Sequence, residues 1–265
     1  MPSTAAHTAA IARAADRLRQ WAYSRIDSHA LELARLYRAS RDTFVGRVRH
    51  VYDTFLADEP TLSAARRGPA AAELERAIQE TVDHQVDGIA QQSVDRLQEL
   101  VTEGAPHAAR TWRDALGLRL KDLEPSTKNV MLELTTKVMG GGTFFDRVMH
   151  MGDQLKGSLT TSIRGGLLGA EPFHVIRDRV MKSFGVDRLS EPRFSAYGSV
   201  MTYKNAARHE FNGLMRAIGK RTEDAVEVWW AMFDDATTPG CAARHGMRLG
   251  DVSDETPPRH LNCRC

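Results

Sequence analysis

The chain has 265 residues, room for one large domain or two smaller ones, and its 42% hydrophobic and 26% charged residues match a packed globular protein. A formal net charge of +2 excludes wholesale coating of nucleic acid by a strongly basic face and leaves room only for a local patch. No apolar run approaches the roughly 18 residues of a membrane-spanning helix. Met1-Pro2-Ser3-Thr4 lacks the basic-then-apolar start of a secretory signal, so synthesis in the cytoplasm is expected.

The N-terminal part of the chain reads as helices. Ile11, Ala15, Leu18, Ala22, Ile26, Leu33 and Tyr37 keep the three-four spacing of one helical face. Phe44, Val48, Val51, Tyr52 and Phe55 repeat it in a second stretch. Ser, Arg, Gly and two prolines between Pro60 and Pro69 predict a break. A third helix follows from about Ala71 to Val101, with Leu74, Ile78, Val82, Val86, Ile89, Leu97 and Leu100 on one face. Gly104-Ala105-Pro106 is expected to end it, because proline cannot continue a helix and glycine favours the terminating conformation. A shorter helix is expected around Trp112 to Leu123. These stripes read as helices packing on one another, and the heptad is too loosely kept for a long supercoil.

The middle of the chain changes character. Gly140-Gly141-Gly142 predicts a hinge or tight turn, and it lacks the Lys-Ser/Thr ending of a phosphate-cradling loop. Leu155, Leu159, Ile163 and Leu167 predict a helix ended by the glycines between Gly165 and Gly169. Glu171-Pro172 opens another through Val175, Ile176, Val180 and Phe184. A further helix should cover Ser195 to Ile218 and stop at Gly219. Beyond it, Val226 to Phe233 is a strand candidate, rich in β-branched and aromatic residues. Asp234 to Gly240 reads as a turn, Met247-Arg248-Leu249 as a short partner strand, and Pro257-Pro258 as an extended approach to the terminus. The expected fold is mainly α: an elongated helical body with a small C-terminal α+β lobe from about residue 220.

The densest chemistry lies at the end. All three cysteines, Cys241, Cys263 and Cys265, fall in the last 25 residues, and an odd number in a reducing compartment fits a disulfide framework poorly. Cys241 and His245 are four apart and would share a face on one helical turn; His260 and Cys263 are three apart and could also converge. Together they supply two sulfurs and two imidazole nitrogens, the ligand set of a closed tetrahedral zinc site, with Cys265 as a substitute ligand. The same residues also fit a metal-free knot, with imidazoles bonded to backbone and thiols packed as small apolar groups. A disulfide from Cys241 to Cys263 or Cys265 is a third arrangement. A hydrolytic metal site with Asp234, Asp235 or Glu255 as base, or a cysteine nucleophile served by His245 or His260, lacks any identifiable oxyanion hole or substrate loop. No catalytic residue is therefore assigned.

Trp229-Trp230, Asp235, Thr237-Thr238, Cys241, His245-Gly246 and the closing Pro257-Pro258-Arg259-His260-Leu261-Asn262-Cys263-Arg264-Cys265 form a pattern. That pattern resembles the phage Mu F-like family of head morphogenesis proteins, also called minor capsid or minor head proteins. Leu155 to Gly169 is similar to that family's helix-then-glycine segment, and Glu171 to Phe184 to the helix after it. The resemblance covers roughly residues 150 to 265, so the chain is expected to divide into a helical N-terminal region, 1–139, which matches in general character only, and a Mu F-like domain, 140–265. Two departures stand out. Val200-Met201-Thr202-Tyr203-Lys204-Asn205 replaces the Arg-Thr-Glu that opens the corresponding helix in many members, and Thr238 stands where many carry a second cysteine.

The resemblance implies a low-copy virion protein inside the procapsid, associated with the portal and with capsid or scaffolding proteins. It implies a role in head morphogenesis and in the packaging or ejection of DNA, and no catalytic activity. Two alternatives belong to other classes. One is a virion protein that contacts packaged DNA through Arg13, Arg17, Arg19 and Arg25, or Arg35 and Arg38, among interspersed acids. The other is a metal-dependent hydrolase.

Overall fold

In a computed structural model, residues 4–55, 64–116, 142–169, 171–185, 195–219 and 238–248 are described. Among them the protein is mainly α-helical, with no strand longer than a single bridge residue at Arg248. The strand candidate at Val226 to Phe233 lies outside the described residues, as do Pro60, Gly140-Gly141 and the stretch from Gly117 to Leu123.

Helix α1 spans Thr4–Phe55 without interruption. Ala14, Leu18, Ala22, Ile26, Ala30, Leu33, Tyr37, Phe44, Val48 and Val51 are all buried and recur every three or four residues, apart from one step of two turns between Tyr37 and Phe44. The two expected stretches are therefore one helix. Arg41, between the two stretches, has a side chain only 12% exposed and bonds Asp42. No glycine or proline lies between Tyr37 and Phe44 to break the helix there.

Helix α2 spans Ala64–Leu116, and it corrects two expectations. It begins inside the expected break, because Pro69 falls within its first two turns, where a missing N–H removes at most one helical bond. It also continues through Gly104-Ala105-Pro106, so the segment from Trp112 is its last turn rather than a separate helix. An interior proline costs a helix about 3 kcal/mol. Against that cost, Ala105, Ala108 and Ala109 on the same turns are buried, while the Pro106 ring faces solvent. Gly104 serves packing instead of termination: a Cβ there would lie 3.2 Å from Leu214 and 3.3 Å from Trp21.

Helix α3 spans Phe144–Leu168, α4 Phe173–Phe184, α5 Ser195–Gly219 and α6 Pro239–Ala243. Gly165 and Gly166, expected to stop α3, lie inside its last turns. The chain turns just beyond, where Gly169 N–H donates to the Gly165 carbonyl and Glu171 N–H to the Gly166 carbonyl. Pro172 then sits at the N-cap of α4, and Gly185 ends α4 at φ 62°, the left-handed conformation that glycine adopts most cheaply.

The chain divides into two compact units. The first comprises Met1–Ala30, Ser93–Phe144 and Met201–Cys265; the second comprises Leu31–Gln92 and Phe145–Val200. Each draws on both sides of residue 140. In the second unit α1 and α2 run antiparallel: Leu36 faces Gly88, and further along Arg47 bonds Glu80 at 2.5 Å. Helix α3 packs on α2 so closely that a Cβ at Gly152 would come within 2.5 Å of Val86. Helix α4 folds back on α3, with Ser183 accepting from Ser158 at 2.8 Å, and Phe184 meeting Phe44 at a ring separation of 6.2 Å. Tyr37, fully buried, hydrogen-bonds Ser199 at 2.6 Å, and burial pushes its hydroxyl well above the usual tyrosine range. Tyr52 donates to the Glu171 carbonyl; burial, with the Glu171 charge adding, pushes its hydroxyl up to about 12.

Two glycines of α3 make opposite predictions. A Cβ at Gly166 would overlap the Ile176 side chain, so Gly166→Ala should destabilise the protein by about 1–3 kcal/mol despite alanine's better helix propensity. Gly157 is exposed with nothing within 4 Å, so Gly157→Ala should stabilise it by roughly 0.5–1 kcal/mol. Urea unfolding of both variants checks the pair of signs.

Candidate functional site: the C-terminal turn and a buried polar seam

Of the residues singled out as metal ligands, Cys241 and His245 are described; His260, Cys263 and Cys265 lie outside the described residues. The local sequence explains the placement of the first two. Thr238 is extended and caps α6, its hydroxyl accepting from the Cys241 N–H at 3.3 Å, and Pro239 follows at the first helical position, where its fixed φ suits a helix start. The end of the expected Asp234 to Gly240 turn is therefore a helix start. It buries Cys241 to 3% exposure. Helix α6 closes after Ala243, with Arg244 at its C-cap and Gly246 at φ 78°. His245 thus stands in the turn after the helix, half-buried. Among the described residues no group of three or more histidines, cysteines or acids is gathered closely enough to hold a metal ion.

A second constellation was not anticipated. In the first unit, α5 carries polar side chains into the interior: Thr202, Asn205, Arg208 and His209 are all buried, Arg208 to 1% exposure. Successive turns of α5 from Tyr203 to Arg208 meet partners on α1, and the two helices run antiparallel. The Arg208 guanidinium lies over the Tyr23 ring, 5.4 Å from its centre. Lys204 pairs with Asp27 at 2.6 Å. The Tyr203 hydroxyl and His29 Nδ1 hydrogen-bond at 2.8 Å, both residues being buried.

On α2, Arg25 reaches Glu103 at 2.8 Å and Glu99 at 3.9 Å, and Arg96 donates to Glu99 at 2.6 Å. The Arg96 hydrogen bond outweighs burial and holds the Glu99 carboxyl below its ordinary 4.5. One turn on, the Trp21 and His107 rings stack with centres 4.8 Å apart. Burial, and then the nearby Arg110 charge, holds His107 below 6.5.

The arrangement binds helices to one another through matched charges and hydrogen bonds. It shows no nucleophile poised on a base. A signal for it was in the sequence: Thr202, Asn205 and Arg208 recur every three residues, with His209 four after Asn205, which places them along one side of the helix. No family model, no curated protein and no solved structure matches the chain.

Two predictions follow from this geometry. Removing the Tyr203 hydroxyl takes a partner from buried His29, so Tyr203→Phe should cost about 1–2 kcal/mol in denaturant unfolding; an unchanged midpoint would contradict the pairing. His107, whose folded form favours the neutral ring, contributes stability in full above 6.5, and that contribution is lost as pH falls towards its lowered folded value. An NMR titration of the His107 ring should give a midpoint below 6.5, moving back towards 6.5 when Trp21→Ala opens the stack.

Proposed function

We propose that the chain is a minor head protein of a tailed bacteriophage, made in the host cytoplasm and built into the virion near the portal. The observation that carries this reading is the terminal sequence Pro257-Pro258-Arg259-His260-Leu261-Asn262-Cys263-Arg264-Cys265, with Cys241 and His245-Gly246 before it, in the pattern of Mu F-like head morphogenesis proteins. The mainly helical body supports it: helices of 52 and 53 residues, each about 80 Å long if straight, give extended surfaces for portal, capsid or scaffolding proteins. In this reading the protein acts by binding during head assembly and DNA packaging or ejection, without a catalytic step. Among the described residues no helix is long and apolar enough to cross a membrane.

The proposal extends to the C-terminal segment. From about residue 220 we assign a small α+β lobe, with Val226 to Phe233 as its strand. Cys241, His245, His260 and Cys263, with Cys265 as a substitute, are its candidate zinc ligands. Buried Cys241 with His245 in the adjoining turn fits two of the four positions. Elemental analysis of the purified protein separates the arrangements. Stoichiometric zinc, lost with thermal stability in Cys263→Ser, establishes a structural metal; no zinc, with stability indifferent to chelator, establishes a metal-free knot.

The functional reading is tested by isolating procapsids and virions from infected cells. The protein should be present in both at low copy and should co-purify with the portal after gentle disruption. A freely soluble chain absent from virions would overturn it.

A further inference from the structure

We draw no further inference here: the strongest candidate, the exposed arginines Arg13, Arg17, Arg35 and Arg38 on the solvent face of α1, alternates with Asp16, Glu32 and Asp42, and nothing in the structure shows what covers it.

Discussion

A helix enclosed on nearly every side has no solvent face on which to leave its polar residues, and this constraint governs α5. From Ser199 to Phe211 every residue is buried except Lys204 and Glu210, which are half-buried. A polar group taken out of water without a partner costs about 1–3 kcal/mol by mutational measure. Partners on α1 meet part of that need: Ser199 has the Tyr37 hydroxyl, Tyr203 has His29 and Lys204 has Asp27, while the Arg208 guanidinium lies over the Tyr23 ring. Such contacts contribute less to net stability than apolar packing of the same volume would. Their stronger effect is on register, since sliding α5 along α1 by one turn would separate each of these pairs.

The same logic separates the pairs that matter from those that decorate the surface. Arg49 with Asp53, or Arg177 with its neighbour Asp178, are exposed contacts within one helix and contribute little. Arg25 with Glu99 and Glu103 joins two helices distant in sequence and lies beside the Trp21–His107 stack, so it helps to orient α2 on α1. In the second unit small residues set the spacing instead. Gly152 lets α3 approach Val86 on α2, and Gly166 lets α4 approach through Ile176.

The helical character was legible because apolar residues at three- and four-residue spacing fall on buried faces, as Leu155, Leu159 and Ile163 do. The start of α4 and the end of α5 were legible too, from Glu171-Pro172 and from Gly219. Reading failed where a breaker residue had been recruited for packing. Gly104 and Gly166 looked like stops because local propensity favours ending there, yet each admits a side chain from another helix, a demand made by tertiary structure alone. The α5 seam escaped notice because the search followed apolar stripes. Of the C-terminal ligand set, Cys241 lies in α6 and His245 in the turn after it rather than on the same helical face, and convergence with His260 and Cys263 depends on a chain path that spacing does not contain. The proposed function rests on resemblance alone, since no residue type or spacing in the helices names a partner.

Native-state hydrogen exchange measured residue by residue tests the central claim, that α5 is the enclosed helix on which the packing depends. Amides between Ser199 and Phe211 should be among the slowest in the protein, opening only with global unfolding, while those near the start of α1 exchange through local fraying. Exchange in α5 as fast as at the start of α1 would contradict the account, because a helix whose polar residues are held by buried partners cannot open without releasing them all.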